Sequence, residues 1–143
     1  MSKERWLGGE DLASNNLKDL NLVVDKLGID RIKRHIFLCV GEKCCSQELG
    51  MKTWEFLKER CRQADAVEVG VYRTKVSCLR ICQKGPIALV YPEGVWYGNV
   101  TIDACKRIFD EHVIGGKIVD EYKITEHALH PDSTNSINFG ETP

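Results

Sequence analysis

Long apolar runs are missing from this chain of 143 residues. No stretch approaches the roughly 20 residues that cross a bilayer, so membrane insertion is not expected. Met1-Ser2-Lys3-Glu4-Arg5-Trp6 has no apolar segment behind it, so no secretory signal is expected either. A surplus of one charge is also missing. Twenty Lys and Arg face 21 Asp and Glu, giving a net charge of −1 and a pI of about 6.4. That balance argues against a general nucleic-acid binder. There is no phosphate-cradling glycine loop, no Ser-His-Asp arrangement, no evident carboxylate pair and no internal repeat. Nothing supplies a substrate pocket, so an enzyme is not expected. What remains is an ordinary globular balance, 43% hydrophobic and 29% charged, at a length suited to one domain.

Cysteine is not scarce. Seven occur, at positions 39, 44, 45, 61, 78, 82 and 105. Without a secretory signal the expected location is the reducing cytoplasm, where disulfides are disfavoured. Metal binding or thiol redox chemistry is then the better reading of so many thiols. Cys61 and Cys105 fall on the apolar stripes of helical patterns and read as buried hydrophobes. The other five flank loops.

The elements follow from periodicity. Residues 11–27 read as a helix, with Leu20, Val23, Val24 and Leu27 on one face and Gly28 as its stop. The stripe predicts packing over a sheet face, with docking of a partner as the alternative. Residues 34–40 read as a strand ending near Cys39. Residues 46–62 read as a helix capped by Ser46. Val67, Val69 and Val71 alternate and predict a second strand. Residues 86–91 form an apolar run typical of a strand buried on both faces. Pro92-Glu93-Gly94 then turns the chain into Val95-Trp96-Tyr97. Thr101 caps a last helix, closed by Gly115-Gly116. After Ile124 the chain turns polar and reads as a tail. Net charge is −2 over residues 1–30, +4 over 31–123 and −3 over 124–143.

The order β-α-β, then β-β-α, makes the first two strands parallel and the last two antiparallel. The expected fold is α/β and thioredoxin-like, a small mixed sheet flanked by helices. The expected divisions are a helical extension at 1–32, the domain at 33–123 and the tail at 124–143. In this plan the loops after the first strand and before the hairpin meet at one end of the sheet. Cys78 and Cys82 form a C-x₃-C pair there, and Cys39 with Cys44 or Cys45 forms another. Four thiolates from two loops suit a tetrahedral metal or an iron–sulfur cluster. Zinc more often takes C-x₂-C, which leans away from it. Thiol exchange would want the same absent C-x₂-C.

These residues carry a resemblance. The run from Cys78-Leu79-Arg80-Ile81-Cys82-Gln83-Lys84-Gly85-Pro86 through Val90-Tyr91-Pro92-Glu93-Gly94-Val95-Trp96-Tyr97-Gly98 closely resembles the thioredoxin-like [2Fe-2S] ferredoxins, the Shethna-type bacterial ferredoxins. Residues 107–116 fit as well, and the likeness covers about residues 33–123. It implies one [2Fe-2S] cluster on four cysteines, one-electron transfer and a homodimer. Related domains serve as relay subunits of NADH dehydrogenases and hydrogenases, and an iron–sulfur redox sensor is a third reading. Matched residue by residue, the ligands implied are Cys39, Cys78 and Cys82, with Cys45 as the second ligand and Cys44 as its alternative. Cys45 leaves 32 residues before Cys78, the ferredoxin-like spacing, whereas C-x₄-C from Cys39 to Cys44 resembles the dehydrogenase-subunit version.

Cations accompany the thiols in sequence: Lys43 beside the first loop, and Arg73, Lys75, Arg80 and Lys84 around the second. They predict redox partner proteins that dock an acidic patch. Arg80, inside the ligand loop, is the expected potential-tuning side chain. Trp96 and Tyr97 are expected to cover apolar surface, and His127 and His130 to be solvated.

Overall fold

In the computed structural model, residues 10–129, 137 and 140 are described, with side chains described from residue 17 onward. Helix α1 runs Glu10–Leu27, strand β1 Arg34–Cys39, helix α2 Gln47–Ala64 and the short helix α3 Ala66–Val69. Strands β2 (Val71–Val76), β3 (Ile87–Tyr91) and β4 (Val95–Tyr97) follow. Helix α4 (Ile102–Arg107) continues as a π-helical segment, Ile108–Ile114, and strand β5 (Lys123–Glu126) comes last. No helix among the described residues is long and apolar enough to cross a membrane.

The five strands form one mixed sheet in the order β2-β1-β3-β4-β5. β1 and β2 pair in parallel, with Arg34 opposite Val71 and Cys39 opposite Val76. β3 returns antiparallel to β1, with Cys39 opposite Ile87 and His35 opposite Tyr91. Alternation then assigns the two faces. Ile36, Leu38, Ala88, Val90, Val95 and Tyr97 join Trp54, Leu57 and Cys61 of α2 and Ala104, Cys105, Ile108 and Phe109 in the main core. Cys39 and Ile87 point to the other face, where a smaller buried group includes Cys44. The thiols thus begin on the side away from α2 and α4.

Local chemistry explains the helix ends. The Ser46 hydroxyl accepts from Leu49 N–H, and the Thr101 hydroxyl accepts from Ala104 N–H. Cys61 and Cys105 are buried in the core, as their stripes predicted.

Three expectations change. The alternating Val67 and Val69 lie on α3, not in a strand, and β2 begins at Val71. Asp65 and Gly70, both with positive φ, bracket that helical turn and reset the register. The sheet also extends past the expected domain end: β5 pairs with β4 through Glu126, and His127 N–H donates to Gly94 O. Polar composition hid this strand because it lies on an edge, with only one neighbour. The polar stretch from Pro131 to Asn135 lies outside the described residues. Finally, α1 does not pack on the sheet. All of residues 17–27 are exposed, Leu20 at 57% and Val23 at 51%. Gly28, in a left-handed conformation, turns the chain out of α1 into a 3-10 turn at Ile29–Arg31.

Candidate metal centre

β1 and the two loops at its C-terminal end build the site. Loop 40–46 carries Cys44 and Cys45, and loop 77–86 carries Cys78 and Cys82. Between them lies a cavity of about 600 Å³. Its walls include Cys39, Cys44, Cys78 and Cys82, with Leu79, Ile81 and Ile87 as apolar lining. The four thiols form an inner and an outer pair. Cys39 and Cys44 are 2% and 7% exposed, whereas Cys78 and Cys82 are exposed.

Cys45, the expected second ligand, is not among the lining residues. Its sulfur sits at the first turn of α2, where a Cβ on Gly50 would lie 3.2 Å from it. Cys44 reaches inward instead. Its sulfur contacts Cys39 and accepts from Ile87 N–H, and burial, with Cys39 beside it, pushes the thiol up to about 12. Burial raises the Cys45 thiol as well. Spacing could not separate two adjacent thiols, because successive side chains of a tight turn diverge by an amount that only the fold sets.

Two glycines missed by the sequence reading lock the loops together. A Cβ on Gly41 would lie 1.9 Å from Ser77 O, and one on Gly85 would lie 2.3 Å from Cys44 O. No side chain fits either contact. Gly85 N–H donates to Cys44 O at 3.0 Å, and Val40 N–H donates to Val76 O at 2.9 Å. The sequence signal available was a glycine two residues after one ligand candidate and another three residues after the last.

Loop 77–86 is also strained. Arg80, Cys82 and Lys84 have φ of 71°, 60° and 58°, left-handed at every second position and none of them glycine. Arg80 N–H donates to Cys78 Sγ at 3.2 Å. Alternating left-handed residues turn backbone N–H groups toward a common point, a shape that receives anions. α2 begins beside this cavity, with Gln47 on its wall, so its positive end lies near the thiols.

The expected rim of cations is smaller than the sequence suggested. Arg73 and Lys75 stack over Trp54 at 5.4 and 5.8 Å, on the α2 face. β2 alternation puts them there, opposite Ile36 and Leu38. Lys43, Arg80 and Lys84 remain at the thiol end, all exposed. Trp96 packs on the group around Cys39 and Ile87, as expected. Tyr97 does more than cover apolar surface, since its hydroxyl enters a polar network described below.

This geometry has close counterparts. The chain is 34% identical over 98 residues to a 2Fe-2S ferredoxin of Clostridium pasteurianum, a match covering 64% of this chain and 96% of that protein. This chain belongs to the 2Fe-2S ferredoxin family. The ferredoxin of Aquifex aeolicus is 27% identical over 100 residues, 65% of this chain and 90% of that protein. A solved thioredoxin-like [2Fe-2S] ferredoxin from Aquifex aeolicus superposes with a TM-score of 0.62 at 26% identity, covering 68% of this chain and 96% of its own. No protein-family model matches this ferredoxin. About a third of its length lies outside these matches.

The core face of the sheet holds a different polar cluster, which reaches from Tyr97 to Arg34 and Glu93 at the end away from the thiols. Tyr97 hydroxyl and His112 Nδ1 are 2.8 Å apart, and His112 Nε2 lies 2.9 Å from Glu93 Oε1. Arg34 donates to both Glu93 oxygens, at 3.1 Å through Nε and 2.9 Å through an Nη. Val119 N–H donates to the Tyr97 oxygen at 3.1 Å. One assignment satisfies every group: the Tyr97 oxygen accepts from Val119 and its hydroxyl donates to Nδ1, while Nε2–H faces Glu93. Burial lowers the His112 pKa against the upward pull of Glu93. Burial alone would raise the Glu93 carboxyl, but hydrogen bonds from Arg34 and His112 hold it down at about 2.

Proposed function

We infer that this ferredoxin is a one-electron carrier whose single [2Fe-2S] cluster is held by Cys39, Cys44, Cys78 and Cys82. The carrying observation is the cavity walled by those two thiol pairs. A mononuclear tetrahedral site needs its ligands converging on one atom. Among the described residues no three His, Cys, Asp or Glu side chains are grouped to hold one ion. Two pairs across a cavity suit a two-iron cluster, which takes two thiolates on each iron. When bound, the cluster supplies reversible storage of one electron. The chain supplies the rest. Cys39 and Cys44 anchor the inner side on the sheet, while Cys78 and Cys82 hold the side facing solvent. The Arg80 N–H bond to Cys78 Sγ, the turned loop and the start of α2 all favour added negative charge. Its setting is read as cytoplasmic, and its role as carriage rather than catalysis.

The test is an anaerobic visible spectrum with EPR before and after dithionite, alongside iron and sulfide analysis. About two irons and two sulfides per chain are expected, with a paramagnetic signal only on reduction. Cys44→Ser should shift or abolish that signal, and Cys45→Ser should leave it. The reverse result returns the second ligand to Cys45. A colourless protein holding zinc after cluster reconstitution would sink the electron-carrier function.

A further inference from the structure

The exposed edge of the thiol cavity is its outer pair, Cys78 and Cys82. Three cations lie on the thiol-bearing loops: Lys43, next to Cys44 and on the cavity wall; Arg80, between the outer thiols in the chain; and Lys84, two residues past Cys82 and on a neighbouring hollow that shares Ile81 with the thiol cavity. All three are exposed, and none makes an ion pair within the described residues. Nine other cations, Arg31, Arg34, Lys52, Lys58, Arg60, Arg62, Lys106, Arg107 and Lys123, each have a carboxylate partner. Lys18, Lys26, Lys33 and Lys117 are exposed without one, but none of these four lies on the thiol loops, so what distinguishes Lys43, Arg80 and Lys84 is their place beside the thiols. Glu42 is the single carboxylate among the cavity-lining residues, and it makes no such pair with Lys43. Backbone strain is a second, independent observation. Arg80 and Lys84 both hold left-handed φ, where glycine fits freely and another residue is strained. Two long cationic side chains therefore stand where the backbone alone would select glycine.

We propose that Lys43, Arg80 and Lys84 form the docking face for an acidic protein surface, that of the electron-exchange partner. This rests on the cluster reading above. A molecule seated on cations of these two loops lies beside the exposed thiols that the same loops carry, so docking and electron exchange share one end of the sheet. A nucleic acid fits less well, because the patch has three cations and no exposed aromatic platform beside them. Association through such a patch is fast and salt-sensitive.

Two small oxidants of opposite charge test the patch without knowing the partner. The dithionite-reduced ferredoxin and its Lys43→Gln/Arg80→Gln/Lys84→Gln variant are each mixed with ferricyanide or with hexaamminecobalt(III). One electron leaves the reduced cluster, giving ferrocyanide or cobalt(II). Neutralising the patch should slow oxidation by anionic ferricyanide about fivefold at low salt and accelerate oxidation by the cationic cobalt complex. Both differences should shrink as salt is added. A changed potential would move both rates in one direction, so opposite movements isolate docking charge. Glutamine keeps a non-glycine side chain at each left-handed position, leaving the demand on the backbone unchanged. As a second readout, a poly-glutamate peptide should bind the loaded protein and lose about fivefold in affinity in the variant. Unchanged rates with both oxidants, or rates moving together, overturn the proposal. Tighter binding of single-stranded DNA of matched charge overturns the choice of an acidic protein. Wild-type protein without iron and sulfide would instead sink the cluster reading, a separate and visible failure.

Discussion

The two ends of the sheet solve opposite problems with the same strands. β1 carries Arg34 at one end and Cys39 at the other, about 16 Å apart at the rise of an extended strand. Toward the Arg34 end, the Arg34–Glu93–His112–Tyr97 chain is joined link by link within the protein. At the Cys39 end the loops leave thiols facing a cavity, keep three residues in left-handed conformations and set cations beside them unpaired. A satisfied buried network gives a strand end one rigid geometry. An end that awaits a cofactor must keep its groups open, and its shape then has to come from backbone contacts. Gly41 and Gly85 supply those contacts.

The sharpest way to break this contrast is Gly85→Ala. The added Cβ meets the Cys44 carbonyl, so the loops must separate. Bound iron should fall from about two per chain to below one, while circular dichroism keeps the sheet and helices. Retention of full iron content would show that the loops are not held by that contact. The other end should fail by a different route. Tyr97→Phe strands Val119 N–H and His112 Nδ1 in the core and should cost about 2–3 kcal/mol in chemical unfolding, with iron content unchanged.

A pH series separates the ends further. His112 has a lowered pKa in the fold, so the unfolded chain binds more protons just below pH 6.5. Its contribution is complete above that value and declines as pH falls through 6.5. Glu93, held at about 2 against 4.5, adds a second decline only below about pH 4.5. Thermal unfolding of the loaded protein from pH 7.5 to 5 should therefore show a falling midpoint, and His112→Gln should flatten it. An unflattened slope would place the responsible group elsewhere. The smallest effect belongs to α1, which takes no part in either end. Leu20→Glu with Val24→Glu should change unfolding free energy by less than about 0.5 kcal/mol. A loss of several kcal/mol would mean that the stripe is covered after all.

Much of this was legible in the sequence, for reasons that differ by element. β1, α2 and the β3–β4 hairpin carry strong periodicity, caps and turn residues, and these agree with their burial. The convergence of two cysteine-bearing loops followed from connectivity alone. The α1 stripe was legible as a helix but not in its placement. Amphipathicity shows that a face wants a partner without saying that the chain contains one. β5 was hidden because Lys123-Ile124-Thr125-Glu126 is short, polar and paired on one side. Val67 and Val69 misled because two β-branched residues outweigh neither Gly70 nor the parallel register with β1. The choice between Cys44 and Cys45 depended on side-chain direction within a turn. Arg34 is 59 residues from Glu93 and His112 is 15 from Tyr97, and they meet only through the fold.

The uneven exposure of the four thiols has a meaning for the newly made chain as well. Before it is loaded, it presents one reachable pair, Cys78 and Cys82, and one sheltered pair, Cys39 and Cys44. The same gradient orders damage. An oxidant or alkylating agent attacks positions 78 and 82 well before 39 and 44. A harmed molecule is thus marked at its surface, on the loop that carries both exposed thiols.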